Sequence, residues 1–418
     1  MEPSLNFGKM KRIYLYITLI LALLACEKEP YDRFENEYNG IAKLELSASS
    51  THLFTNGVAE VEFVLSAYYG IDITEKFYGD GVIKDTIYRD TVKYRMRNLP
   101  EGLDIYTESG DKVENFKYST ESSDSEVTFY AKSGDVESER VSVILEAAPK
   151  EELTEYVIPV VFHMVETDSQ EKAIGNFKEE KVKAVIESLN KAFANTAKAN
   201  APHSIDQKVR FELVSVDPTG NKLSELGINR VQLGDVDEAE ALSYLNENLM
   251  WDHNLYLNIW VCKTSPWAQY YDPEVEAPTH IMADPSIIPG LDLIQVEEGD
   301  AIEITDPTDI GLIFAPSHFQ ENSTIIASIG KYFGLLPTIF YTGWGAPTVV
   351  DGDVDYCADT YSWNRGSMGI WKTTKDDNKV MKSVNIMDDN SIGSVVSYHQ
   401  GQRVRNVLEH CPLRQYSN

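Results

Sequence analysis

Tyr156-Val157-Ile158-Pro159-Val160-Val161-Phe162-His163 is the stretch on which the architecture turns. It is a strongly apolar strand, and the chain after it alternates in texture. Residues 178–196 place Val182, Val185, Ile186, Leu189 and Phe193 at three- and four-residue spacings, the stripe of an amphipathic helix. Val209-Arg210-Phe211-Glu212-Leu213 alternates as a strand, and residues 236–250 predict a second helix. Tyr256-Leu257-Asn258-Ile259-Trp260-Val261-Cys262 is the next strand. Strand, helix, strand, helix, strand predicts an α+β domain over 156–418, a mixed sheet backed by helices.

Upstream, residues 41–148 read differently. Ala59–Leu65, Glu126–Ala131 and Glu139–Leu145 alternate at period two, and turns such as Ser133-Gly134-Asp135 separate such runs. Several short alternating strands predict an all-β, immunoglobulin-like sandwich. Residues 149–155, with Pro149 and several charges, form the expected linker. No ligand-binding constellation stands out in the sandwich, so a spacer or interaction domain is expected there.

The start of the chain is a targeting signal. Lys9, Lys11 and Arg12 precede an apolar run from Ile13 to Ala25. Thirteen residues fall short of the ~20 that a membrane-spanning helix needs, and a charged start with a short apolar core marks a secretory signal. The run ends Leu23-Leu24-Ala25-Cys26, similar to a bacterial lipobox. That resemblance implies removal of residues 1–25 and lipidation of Cys26. Residues 26–40 then form a polar tether. Glu27-Lys28-Glu29 resembles the acidic tags of surface-exposed lipoproteins, so the expected location is the outer membrane, with a surface-exposed face as an option.

The 418 residues carry 37 bases and 66 acids, a formal charge of −29. Processing would remove three bases and one acid (Glu2), which leaves −31. Nucleic-acid binding needs clustered Lys and Arg and is excluded as an expectation. Lipid chains anchor by their own transfer energy, about 0.8 kcal/mol per buried CH₂, so no basic patch is required. If Cys26 carries lipid, Cys262, Cys357 and Cys411 remain and permit one disulfide, whose pairing the spacing leaves open.

Six short stretches, in order, carry a resemblance. They are Ile158–His163, Gly227-Ile228-Asn229-Arg230, Tyr256–Val261, Asp355-Tyr356-Cys357-Ala358-Asp359-Thr360, Asn385-Ile386-Met387-Asp388 and Gln402-Arg403. Together they resemble the pappalysin-type metzincin metallopeptidases, in particular the zinc-dependent metalloproteinase lipoproteins of Bacteroidota, over residues 156–415. The resemblance implies a metzincin-like domain with an active-site helix and a Met-turn at Met387.

In such a family the chemistry rests on H-E-x-x-H-x-x-G-x-x-H. Two His at i and i+4 share a helix face, a Gly ends the helix, and a third His completes the zinc site. One coordination position stays open for water, whose proton the Glu takes. The matching segment is Ala327-Ser328-Ile329-Gly330-Lys331-Tyr332-Phe333-Gly334-Leu335-Leu336-Pro337. Gly330, Gly334 and Leu335 fit. The ligand positions hold Ala327, Lys331 and Pro337, and the base position holds Ser328. No catalytic residue is therefore assigned, and zinc is not expected.

The eight histidines offer no replacement by spacing, since no two are three or four residues apart. Lys331 has two readings: a fixed cation pairing with a carboxylate in place of the metal, or a Lys whose stem packs while its head reaches solvent. Asp351, Asp353, Asp355 and Asp359 form the one acidic cluster and are the candidate calcium ligands; a solvated acidic turn is the alternative. Trp344, on a Gly-rich loop, is the aromatic expected at the surface, whereas Trp260 is expected in the core.

The function that follows is a cell-envelope pseudopeptidase, tethered through Cys26, whose degenerate cleft takes a peptide or protein partner along the sheet edge. An active metallopeptidase with unconventional ligands and a structural or adhesive envelope protein are the alternatives.

Overall fold

The computed structural model describes residues 31–35, 40–77, 86–167, 174, 177–198, 200–234, 250–262, 273–282, 288–304, 306–340, 355–364, 369–375, 378–388 and 393–416. The signal segment, Cys26, Asp351, Asp353, Trp344 and residues 236–249 of the expected second helix lie outside them. By compactness the chain forms two units: residues 1–45, 65–104 and 131–139, and residues 46–64, 105–130 and 140–418.

In the first unit, β1 (Tyr31–Glu35) pairs antiparallel with the far half of β4 (Val61–Phe77), Tyr31 opposite Phe77. Strand pairing thus reaches into residues read as tether. β5 (Thr86–Arg95) also pairs antiparallel with β4, from Tyr68 opposite Arg95 to Phe77 opposite Thr86. β10 (Val136–Glu137) folds back on the end of β9 (Glu126–Ser133). The turn between them is the one read from Ser133-Gly134-Asp135, and Gly134 supplies its positive φ of 59°.

The second unit begins with strands. β2 (Ile41–Ala48) enters it, followed by β3 (His52–Phe54). β6 (Asp104–Thr107) pairs with β7 (Lys112–Val113), and β8 (Lys117–Tyr118) pairs with the start of β4. β11 (Val141–Glu146) lies antiparallel to β9 and parallel to β3, with Leu145 opposite Leu53. Residues 41–146 contain no α-helix among those described, in agreement with the all-β reading. Period-two alternation buries Phe129 and Val143 completely, and the Phe63 ring packs tilted against Phe129, centroids 4.7 Å apart.

The rest of this unit is built around β12 (Tyr156–Thr167), the opening strand of the sequence argument. It is long enough to serve three neighbours, all parallel. β13 (Val209–Leu213) takes Tyr156–Val160, β14 (Ile228–Gly234) takes Phe162–Thr167, and β15 (Leu257–Val261) takes Val160–Met164 on the opposite side. β19 (Gly311–Phe314) extends the sheet parallel to β15. β16 (Glu274–Val275) closes it antiparallel, which makes the sheet mixed as expected.

Side-chain alternation along β12 separates two cores. Ile158, Val160, Phe162 and Met164 face the main cluster. That cluster includes Val182, Val185, Ile186, Leu189 and Phe193 of α1 (Glu179–Phe193), the predicted stripe. It also takes Ile325 and Ile329 of α2 (Asn322–Tyr332) and Val404 and Val407 of α3 (Tyr398–His410). Val165 faces the other way, onto Trp260, Cys262 and Ile313. Trp260 is wholly buried, as expected.

The Gly227–Arg230 motif leads into β14. Gly227 has φ +74°, and a Cβ there would lie 2.5 Å from Leu213, so only glycine makes the turn. Smaller ladders complete the unit. They are β17 (His280–Met282) with β18 (Ile294–Val296), β20 (Ile339–Phe340) with β21 (Trp363–Asn364), and β22 (Trp371–Thr373) with β23 (Val380–Lys382).

Cys262, Cys357 and Cys411 are free and buried, so the permitted disulfide is not formed. Cys262 packs on the reverse face of the sheet and Cys411 in the main core. Burial pushes both thiols up to about 12.

Candidate functional site

α2 carries the segment that matches the zinc motif, and its end is specified residue by residue. Gly334 adopts φ +83°, Leu335 N–H donates to Gly330 O at 2.9 Å, and Gly334 N–H donates to Lys331 O at 2.8 Å. These two bonds form the Schellman closure of a helix. A Cβ at Gly334 would also lie 2.7 Å from Val407 of α3. Arg403 of α3, itself buried, donates through Nε to Gly334 O at 2.5 Å and through Nη1 to Pro289 O at 2.7 Å. Arg403 of the Gln402-Arg403 pair singled out in the sequence therefore anchors the helix terminus.

Gly330, inside the helix, faces the turn at Met387; a Cβ there would be 2.9 Å from the Met387 Sδ. Thr338 holds that turn, its N–H and hydroxyl reaching Met387 O at 3.3 and 3.0 Å. Asp388 is buried behind it. Its Oδ1 accepts from Thr338 Oγ1 (2.7 Å) and Trp363 Nε1 (2.8 Å), and its Oδ2 from Ser383 Oγ (2.8 Å) and Asn385 N (3.0 Å). Burial nevertheless keeps its carboxyl above the usual range.

The four positions of the zinc motif are placed as follows. Ala327 is partly buried against the main core. Ser328 is buried, and its Oγ donates back to Thr324 O at 2.8 Å. Lys331 is half-buried, and its Nζ donates to Val275 O of edge strand β16 at 2.7 Å. Pro337 is exposed. A methyl, a hydroxyl turned onto its own helix, an ammonium on a carbonyl and a pyrrolidine ring do not fit a zinc ion, which takes thiolate, imidazole or carboxylate. Lys331 meets a backbone carbonyl rather than the carboxylate expected in one reading. A carbonyl satisfies an ammonium hydrogen without a second buried charge.

Of the acidic cluster, Asp355 and Asp359 are described and both are buried. Burial pushes the Asp355 carboxyl up to about 7, against hydrogen bonds from Thr360 Oγ1 (2.8 Å) and Cys357 N (3.2 Å). Burial alone would raise Asp359 too. Hydrogen bonds from the His203 ring and the His399 N–H outweigh it and hold this carboxyl below its ordinary value. Both carboxylates are thus engaged by the protein itself.

Spacing gave no hint of one cluster. His52 of β3, His203 and His399 of α3 come together with ring centroids 5.1, 5.5 and 5.4 Å apart. His203 lies between Asp359 (2.8 Å) and Glu146 of β11 (3.0 Å). Burial lowers the His52 pKa, and His203 adds to the shift. Among the described residues no group of three His, Cys, Asp or Glu has the geometry to hold a metal ion. His163 is a packed histidine: Asn229 Nδ2 donates to its Nδ1 and Asn258 Oδ1 lies 3.0 Å from its Nε2. Burial pushes its pKa down to about 4.

No protein-family model and no curated protein matches this sequence. Among solved structures it is similar to mature mirolysin of Tannerella forsythia in complex with a cleaved peptide. That match has 22% identity and a TM-score of 0.42, and covers 62% of this chain and 93% of that one. Mirolysin in complex with a compound matches at 23% identity and TM-score 0.42, covering 61% and 92%. A promirolysin point mutant matches at 23% and 0.43, covering 64% and 84%.

Proposed function

We propose that this chain is a metzincin-type pseudopeptidase of the cell envelope, tethered by lipid on Cys26, which binds a peptide or protein segment without cleaving it. The observation that carries this reading is the bond from Lys331 Nζ to Val275 O. The helix face that would carry zinc ligands is instead tied to the sheet edge by the protein's own ammonium. The six ordered motifs and the fit of Gly330 on Met387 support the metzincin part. The envelope location rests on the signal segment ending in Cys26, and partner binding rests on the expectation that a peptide adds along the sheet, in which β16 is the terminal strand.

Zinc analysis with a casein digestion assay tests the proposal. The wild-type chain is expected to hold no stoichiometric zinc and to leave casein intact. The combined substitutions Ala327→His, Ser328→Glu, Lys331→His and Pro337→His are expected to recover one zinc per chain, because Gly334 already turns the chain at the required point. Chelator-sensitive cleavage by the zinc-loaded wild type would overturn the reading.

A further inference from the structure

The sequence predicts a polar tether over residues 26–40, which fully extended would reach about 50 Å. β1 takes Tyr31–Glu35 out of it. Between Cys26 and Tyr31 stand only Glu27, Lys28, Glu29 and Pro30, so the two ends lie at most about 18 Å apart. Pro30 fixes its own φ and biases Glu29 to extended backbone, which leaves this link little freedom.

The register of β1 is written in charge. Asp32 stands opposite Lys76 and Arg33 opposite Glu75, and opposite charges across an antiparallel pair favour that pairing. A slip of one residue in either direction would set like charges opposite one another, Asp32 on Glu75 or Arg33 on Lys76. The same residues of β4 pair with β5, from the opposite edge, so Tyr31, Phe77 and Thr86 form one row across three strands. With neighbouring strands about 4.8 Å apart, this row is about 10 Å wide. Arg95, opposite Tyr68, ends β5 about 30 Å along the strand from Thr86. The ribbon thus has one end joined to the tether and another a strand's length away.

Charge sets how such a ribbon stands. The chain carries a formal charge of −29, and anionic headgroups repel so acidic a body. A short link at one end, with repulsion acting on the rest, favours an upright ribbon over a flat one.

We propose that the β1–β4–β5 ribbon is a stalk on an anionic phospholipid surface. The row Tyr31–Phe77–Thr86 is its lipid-facing end, and the Tyr68–Arg95 end points away from the lipid. The stalk rests on the lipid anchor at Cys26 proposed above and on nothing in α2.

Flotation of the lipidated full chain with vesicles of phosphatidylethanolamine and phosphatidylglycerol, against Cys26→Ser, reads the anchor. Failure of the wild type to float, or equal flotation of Cys26→Ser, would overturn the anchor and the stalk with it. Energy transfer then reads the orientation. A fluorophore on Thr86→Cys or on Arg95→Cys donates to a headgroup-labelled lipid, while Cys262, Cys357 and Cys411 stay unlabelled in the folded chain because they are buried. Transfer from the Thr86 site is expected to exceed that from the Arg95 site by about twofold or more, given the separation of about 30 Å. A Gly-Ser insertion of about twenty residues before Pro30 is expected to lower the Thr86 signal, since such a coil adds roughly 25 Å of reach. Should either variant melt lower, Ile87→Cys and Lys93→Cys carry the same comparison. Flotation with equal transfer from the two ends, or a Thr86 signal indifferent to the insertion, would overturn the stalk and leave the anchor standing.

Discussion

Gly330 of α2 and Met387 of the turn before α3 meet so closely that a Cβ on Gly330 would stand 2.9 Å from the Met387 Sδ. Glycine in a helix interior costs about 1 kcal/mol relative to alanine, so here it is retained by packing rather than by helix propensity.

Gly330→Ala should therefore destabilise the protein, although alanine is the better helix former. Overpacking costs typically about 1–3 kcal/mol, enough to exceed the propensity gain. Urea unfolding of the two single variants and of Gly330→Ala with Met387→Ala forms a double-mutant cycle. The alanine penalty should shrink by about 1 kcal/mol once Met387 is truncated; additive losses would show that the two residues do not press on one another.

Asp388 binds four donors in a buried position. Asp388→Ala should cost about 3 kcal/mol or more, because each orphaned donor carries its own desolvation penalty. Asp388→Asn should also destabilise, since its amide turns one accepting oxygen into a donor that faces donors. The urea midpoint reads both, and a neutral outcome for Asp388→Ala would mean that water replaces the carboxylate.

Two buried groups oppose each other between pH 4 and 7. His163 titrates at about 4 in the fold against 6.5 when unfolded, so the unfolded state holds more protons in that window. As pH falls from 6.5 to 4, His163 removes roughly 3 kcal/mol of stability. Asp355 titrates at about 7 in the fold against 3.8 unfolded, so the folded state holds more protons, and raising pH from 4 to 7 removes roughly 4 kcal/mol. Asp355→Asn should thus gain on wild type by a few kcal/mol between pH 4 and 7, and its stability should fall more steeply on acidification. Parallel stability-against-pH curves for the two proteins would refute this.

Cys262, Cys357 and Cys411 should resist a thiol reagent in the native state and all react after unfolding, because each is buried and the thiolate is the reactive species. A reducing agent should leave the melting temperature unchanged. Native labelling of any of the three would place it nearer the surface than the packing allows.

The parts of the fold legible in the residues are those whose information is local. The stripe from Val182 to Phe193 became α1, the run from Tyr156 became the central strand, and Leu257–Val261 became its partner. The Gly227–Arg230 stretch opens β14, whose pairing with β12 no local periodicity announces. The candidate site divides in the same way. The residues Ala327, Ser328, Lys331 and Pro337 are written in the sequence, but the carbonyl that receives Lys331 lies 56 residues away.

Residue type and spacing by themselves determined which segments bury an apolar face, where α2 must end at Gly334, and that no imidazole stands at the three ligand positions. Tertiary structure alone decided that His52, His203 and His399 form one cluster, that the three thiols stay apart, and that Tyr31–Glu35 pair with the far half of β4. Periodicity acts over a few residues, because it reflects the geometry of one helix or strand. Contacts between side chains far apart in sequence depend on how the elements pack around a shared core, and no local pattern encodes that path.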